Sequence, residues 1–217
     1  MIRVRVYVEG IEKGYVKPCG ILSIVRDENN VIVADGNNCL GIPVAAKAMR
    51  IAIERAKRFG MGIAAVRSLG HVGMLAYYSI MAANEKLIGF ACANGSALAV
   101  PFGGSKPLFG TNPFTIAFPT KSKPIVIDMA TSAMASYKIR LAAMRVESIP
   151  EGVAIDSEGR ITRDPSKVYA LLPFGGYKGV CTISHDRDYS GDFSWKNIKH
   201  KDSTPWFNSG RLSISCT

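Results

Sequence analysis

The segment IPVAAKAMRIAIERAKRFGMGIAAV, residues 42–66, reads as a helix that stops at a glycine and gives way to a strand. Ile42, Ala45, Met49, Ala52, Ile53 and Ala56 recur at helical spacing, while Lys47, Arg50, Glu54, Arg55 and Arg58 occupy the other faces. Gly60 ends the helix, and residues 63–66 form a short apolar run of the buried-strand kind. The glycines also spell GxGxxA over Gly60-Met61-Gly62-Ile63-Ala64-Ala65. A Rossmann phosphate loop needs that motif after a strand and before a helix N-terminus. Here the order is reversed, so the glycines are a helix stop and not a phosphate loop.

The alternation continues on both sides. Residues 21–26 and 30–35 look like paired strands joined by the polar turn Asp27-Glu28-Asn29. Residues 74–86 predict a second helix, and 87–93, 114–118 and 124–129 predict strands. Residues 131–145 predict a third helix, ended before Pro150. Together these predict an α/β fold, a mixed sheet with flanking helices.

A chain of 217 residues, 47% apolar and 20% charged, suits one ordinary globular domain and excludes disorder and coiled coil. No apolar run reaches the ~18 residues of a membrane span. The opening Met1-Ile2-Arg3-Val4 lacks a secretory h-region, so a soluble, cytoplasmic protein is expected. The net charge is +10, but the basic residues do not cluster, which disfavours a nucleic-acid partner. The same balance suits an anionic small molecule. Five cysteines, odd in number and never in a CxxC pair, are expected as free thiols with no zinc site.

Three loops stand out. His71 lies in Arg67-Ser68-Leu69-Gly70-His71-Val72-Gly73, between an expected strand and an expected helix. A histidine in a loop can be structural or catalytic. Flanking glycines let backbone approach a ligand, and imidazole exchanges protons near neutral pH. Gly110-Thr111-Asn112-Pro113 puts two hydrogen-bonding side chains beside a rigid turn, and Leu172-Pro173-Phe174-Gly175-Gly176-Tyr177-Lys178-Gly179 sets a lysine among glycines. Between them, Ile127-Asp128-Met129-Ala130-Thr131-Ser132 is a strand end entering a helix capped by Asp128, Thr131 or Ser132.

The order of these motifs resembles the type-2 malate/L-lactate dehydrogenase family, which includes ureidoglycolate, sulfolactate and diketogulonate oxidoreductases. The matching residues are Asp35-Gly36-Asn37-Asn38, Ser68-x-x-His71-x-Gly73, Pro101-Phe102-Gly103-Gly104, Gly110-Thr111-Asn112-Pro113, Asp128-Met129-Ala130-Thr131-Ser132, Asp164-Pro165 and the 172–179 loop. The resemblance covers residues 1–179 and implies a coenzyme-binding domain of that family's non-Rossmann type. It implies NAD- or NADP-dependent oxidation of a small 2-hydroxy acid to the 2-oxo acid, in a homodimer. By the same resemblance, His71 exchanges the proton and Arg3 holds the substrate carboxylate. Asn94, Gly95, Thr111, Asn112, Asp128, Met129, Ala130 and Lys178 contact the coenzyme, and no metal is involved.

The sequence departs from the family pattern at both ends. The family's helical segment with a Ser-His-Gly motif before the arginine has no counterpart ahead of Arg3. The alternative to an active enzyme is therefore a truncated, inactive remnant that retains nucleotide or subunit binding. Residues 180–217 diverge: 11 of residues 181–217 are apolar, against about half of the rest, and both Trp195 and Trp206 fall there. Dropping one base near Val180 in a back-translation restores an apolar helix of the family's kind. The tail is therefore expected to be an out-of-frame translation that forms no packed element.

Overall fold

The computed structural model of the chain describes residues 2–178 and 210–216. Contacts divide them into two units. One comprises residues 2–93, 114–128 and 210–216, and the other residues 94–113 and 129–178.

In the first unit, α1 (Ile2–Glu12) precedes β1 (Ser23–Glu28) and β2 (Val31–Cys39). Then follow α2 (Gly41–Phe59), β3 (Gly62–Leu69), α3 (Ala76–Asn84), β4 (Gly89–Asn94), β5 (Phe114–Phe118) and β6 (Ile125–Met129). A last strand, β9 (Gly210–Cys216), completes a seven-stranded sheet in the order β1-β2-β3-β9-β4-β5-β6. β1–β2, β3–β9 and β4–β5 are antiparallel and β2–β3 is parallel, so the sheet is mixed as expected. α1 was hidden from sequence reading, because Ile2-Arg3-Val4-Arg5-Val6-Tyr7-Val8 alternates with the period of a strand.

α2 shows why the 42–66 segment dictates this arrangement. Val44, Ala45, Ala48, Met49, Ala52, Ile53 and Ala56 form one buried face, whereas Ile42 in the first turn stays exposed. Burying Met49 alone contributes roughly 2 kcal/mol. Gly60 takes the left-handed conformation at φ +82° and its amide closes the helix on the Ala56 carbonyl. β3 begins two residues later, so the GxGxxA run is the helix stop expected. A side chain at Gly62 would overlap the Ala52 carbonyl; this glycine sets how closely α2 lies on β3.

β2 and β3 part company near their ends. Asp35 pairs with Arg67, but the next pair is Cys39 with Leu69, so three residues of β2 face one of β3. Asn37, Asn38 and Ser68 take positive φ of 54°, 56° and 53° to make this bulge, a conformation short polar side chains tolerate. The motif Asp35-Gly36-Asn37-Asn38 is thus a bulge-former, tied by Arg67 Nε to Asp35 Oδ2 at 2.8 Å.

Two expectations are corrected here. Cys19 and Cys39 are joined in a disulfide rather than being free thiols; Cys92 and Cys216 are not so bonded. Backbone pairing explains the meeting: the Lys17 amide donates to the Asn38 carbonyl and the Leu40 amide to the Lys17 carbonyl, laying the segment after α1 beside the end of β2. Closing this 20-residue separation contributes about 3 kcal/mol. The second correction concerns the tail. Gly210–Cys216 lies inside the sheet, paired with β3 from Gly62–Cys216 to Leu69–Gly210. Cys216 is buried, with its Sγ 3.3 Å from Met49 Sδ, and burial pushes its thiol up to about 12. Leu212-Ser213-Ile214-Ser215-Cys216 alternates at strand spacing, a signal the low average hydrophobicity concealed. Trp195 and Trp206 lie outside the described residues.

The second unit holds α4 (Ser136–Arg145), a two-stranded antiparallel sheet of β7 (Ala154–Ile155) and β8 (Ala170–Leu171), and a short 3-10 turn at Pro165–Lys167. Its core is built from Ala99, Phe109, Ile139, Ala142, Ile149, Val153 and Leu171. α4 starts later than the expected residue 131, because Thr131 and Ser132 are engaged elsewhere. The Thr131 amide donates to the Thr111 carbonyl, and Ser132 bridges Pro173. None of Asp128, Thr131 and Ser132 caps α4, whose N-cap is Ala135. α4 ends on Val146 in the left-handed conformation at φ +57°, with the residue 93% exposed. A β-branched residue there strains the backbone without packing gain. Val146→Gly is expected to raise stability by about 1 kcal/mol, and Tm by roughly 2–4 °C, in denaturant and thermal unfolding.

Candidate active site

β3 delivers His71 to its place. Beyond Leu69 the chain turns through Gly70, and a side chain at Gly41, the first residue of α2, would overlap the Gly70 and His71 carbonyls. The α2 N-terminus thus presses directly on the backbone of the histidine loop. α1 presents Arg3 and, one turn later, Tyr7 to the same loop. Tyr7 Oη lies 2.7 Å from His71 Nδ1, and the Gly73 amide lies 3.1 Å from the same atom. A backbone N–H can only donate, so Nδ1 accepts and the neutral ring carries its hydrogen on Nε2. The Tyr7 hydroxyl then donates to Nδ1 as well.

Desolvation lowers the pKa of His71 from 6.5 to about 4, with the Arg3 charge as the second cause. The ring keeps an exposed edge, and both causes act in one direction, so the free protein holds it neutral near pH 7. Burial raises the pKa of Tyr7, with Arg3 opposing; its hydroxyl stays protonated and able to donate.

α3 closes the arrangement. Tyr78 is fully buried and its hydroxyl donates to the Val72 carbonyl at 2.5 Å. Ser79 Oγ and Thr115 Oγ1 lie 2.9 Å apart, and Thr115 Oγ1 donates to the Ile127 carbonyl, fastening α3 to β5 and β6. At the end of β6, Asp128 Oδ2 accepts a long bond, 3.4 Å, from the Ala76 amide. Asp128 therefore faces the N-terminus of α3, not that of α4. Its pKa is raised by desolvation, with the Ala76 bond opposing.

The other expected residues lie at or beyond the ends of β4 and β6. Asn94 ends β4. In the second unit, Asn112 is buried and its Oδ1 accepts from the Gly95 amide at 3.4 Å. The Thr111 carbonyl accepts from both the amide and the hydroxyl of Thr131, and the Thr131 carbonyl accepts from the Phe174 amide. These contacts gather Gly95, Thr111, Asn112 and the 172–174 segment into one loop cluster. Met129 and Ala130 lead into it from β6, and Lys178 is exposed just beyond Gly175 and Gly176. Space is open around Gly95 and Gly103, so loop backbone there is accessible to a ligand.

The structure thus brings His71 and Arg3 together, and Gly95, Thr111 and Asn112 together. Tyr7 and Tyr78 were missed by sequence reading. The four-residue step from Arg3 to Tyr7 signals a shared face only once residues 2–12 are known to be helical. Among the described residues, no group of three or more His, Cys, Asp or Glu is placed to hold a metal, and no helix is long and apolar enough to cross a membrane.

The titration of His71 carries a sign that can be checked. As pH falls, the unfolded chain takes up the proton near 6.5 before the folded protein does near 4. Its contribution to stability is therefore present above pH 6.5 and is lost as pH falls towards 4. NMR titration is expected to place His71 close to 4, and Arg3→Gln should raise the midpoint by less than burial lowers it.

The model of the malate/L-lactate dehydrogenase family matches residues 1–184. The malate/(S)-sulfolactate dehydrogenase of Methanothermus fervidus is 41% identical over 175 residues, 80% of this chain and 52% of the relative. The NAD(+) ureidoglycolate dehydrogenase of Escherichia coli O157:H7 is 34% identical over 179 residues, 82% of this chain and 51% of its own. Among solved structures, the sulfolactate dehydrogenase of Methanocaldococcus jannaschii superposes with a TM-score of 0.85 at 33% identity, covering 99% of this chain and 64% of its own. The chain spans about half the length of the curated relatives it matches. With the motif order, the mixed sheet and the superposition in agreement, the chain belongs to the malate/L-lactate dehydrogenase family, whose members are dehydrogenase enzymes.

Proposed function

We propose that the protein oxidises a small 2-hydroxy acid, of the malate, lactate or sulfolactate kind, with NAD or NADP as hydride acceptor. The observation that carries this reading is His71: a neutral imidazole whose single lone pair, on Nδ1, is held by Tyr7 and the Gly73 amide beside the charge of Arg3. Relatives named as malate, sulfolactate and lactate dehydrogenases support the substrate class.

The residues present fit such a coenzyme. The cluster of Gly95, Thr111 and Asn112 offers accessible backbone at Gly95, and the exposed Lys178 a cation for phosphate. Asp128, Met129 and Ala130 form the strand end beside which a ligand is expected in an open α/β sheet. Helix-then-strand order at Gly60, which leaves no phosphate loop there, supports reading this coenzyme site as of the family's non-Rossmann type. When bound, the nicotinamide supplies the hydride acceptor. The rest belongs to the chain. Arg3 holds the substrate carboxylate as a charge-assisted pair. The hydroxyl proton goes to the Tyr7 oxygen as the Tyr7 proton passes to Nδ1, leaving His71 an imidazolium. A carboxylate on Arg3 offsets the positive charge that depresses His71, so substrate binding raises its basicity at the moment it must accept a proton. Oxidation is favoured above the His71 midpoint and reduction of the oxo acid below it.

Homodimerisation belongs to the same reading. Val4 and Val8, one turn apart on α1 and about half exposed, supply apolar surface for a second copy.

A panel of oxaloacetate, pyruvate and 3-sulfopyruvate with NADH or NADPH tests the proposal. At least one oxo acid is expected to be reduced. His71→Ala should lower kcat by about 10²–10⁴-fold without changing the fluorescence titration of the coenzyme, and Arg3→Ala should raise KM for the acid. Coenzyme binding with no turnover of any acid would instead establish a remnant that retains only nucleotide binding.

A further inference from the structure

We propose that Tyr78 is a positioning residue for His71, acting through the Val72–Gly73 peptide; as a statement about the reaction, this rests on the role of His71 given above. The Tyr78 hydroxyl donates to the Val72 carbonyl, and the Gly73 amide donates to His71 Nδ1. That carbonyl and that amide belong to one planar peptide unit. Tyr78 therefore fixes the oxygen end of the group whose nitrogen end fixes the imidazole. The chain of donors runs from Tyr78 through the peptide to Nδ1, where Tyr7 is the second donor.

Two features make this more than a satisfied buried phenol. Phenylalanine would fill the same fully buried space without a hydroxyl to be satisfied. The hydroxyl is spent on a loop carbonyl six residues away, and on the residue adjoining His71. The tyrosine is also a fixed point, because Ser79 and Ala76 on the same helix are bonded towards β5 and β6. Polarising the peptide strengthens its N–H as a donor. A donor on Nδ1 stabilises the unprotonated ring, so the Tyr78 bond lowers the pKa of His71 and holds the lone pair where a proton is to be received. Among the described residues, the titratable and charged groups acting on His71 and Tyr78 are Arg3 and Tyr7 on α1, with Tyr77 beside Tyr78 on α3. α2 meets the loop with Gly41 and Ile42, which do not titrate.

Tyr78→Phe tests this by NMR titration of histidine in the full chain, which has three histidines. The His71 midpoint should rise by about half to one pH unit. With the oxo acid turned over, kcat should fall about tenfold with KM for the coenzyme unchanged. An unmoved His71 midpoint in a folded variant overturns the proposal, even if the variant is less stable. The titration needs no turnover, so a shifted midpoint in a protein that reduces no oxo acid supports the Tyr78–His71 coupling while refuting the dehydrogenase reading. If the variant does not fold, the wild-type protein gives the answer. The Tyr78 hydroxyl proton should shift with the His71 midpoint, and a resonance indifferent to it overturns the proposal.

Discussion

The contact of Gly41 with the backbone of Gly70 and His71 governs the molecule. α2 can lie on the sheet only because residues without side chains stand at both close approaches, Gly41 at its start and Gly62 just beyond its end. The second sets the helix against β3, and the first sets the loop that follows β3 against the helix. Between them, the bulge at Asp35–Cys39 and the Arg67–Asp35 pair let the two strands diverge. His71 therefore leaves the sheet on a path set by these close backbone approaches and by the Arg67–Asp35 pair at the bulge.

Chemistry is then laid over that path. Desolvation and Arg3 push the same way, towards a neutral ring, and two donors converge on one lone pair. An imidazole in this state is a proton acceptor with its receiving atom chosen in advance. The Arg3 charge that disfavours protonation in the free protein is, under the proposed function, the charge an anionic substrate would neutralise, which would link affinity for a carboxylate to the basicity of His71 through one guanidinium.

Much of this was legible in the residues. The amphipathic helix from Ile42 to Phe59, the stop at Gly60 and the apolar strands match the structure with nearly the right bounds, because periodicity and glycine chemistry are local, although Ile42 itself stays exposed. What escaped depends on distant partners. α1 looks like a strand until its docking is known, Cys19 and Cys39 meet through pairing 20 residues apart, and β9 joins β3 from the far end of the chain. Thr131 failed to begin α4 because the Thr111 carbonyl claimed it. At the candidate site, the flanking glycines and motif single out His71 as a candidate. The tyrosines are not singled out, since one sits on the concealed helix and the other reads as an ordinary core aromatic.

Isotope transfer tests the proposed function most directly: that a hydride leaves C2 of a 2-hydroxy acid while the hydroxyl proton is relayed through Tyr7 to His71. Malate, lactate and sulfolactate deuterated at C2 would be incubated with NAD or NADP and the full chain, and the nicotinamide recovered for mass and NMR analysis. Deuterium should appear at C4 of the nicotinamide, with transfer by His71→Ala slowed by about 10²–10⁴-fold. Oxo acid formed without deuterium at C4, or label transferred undiminished by the His71 variant, would contradict the account.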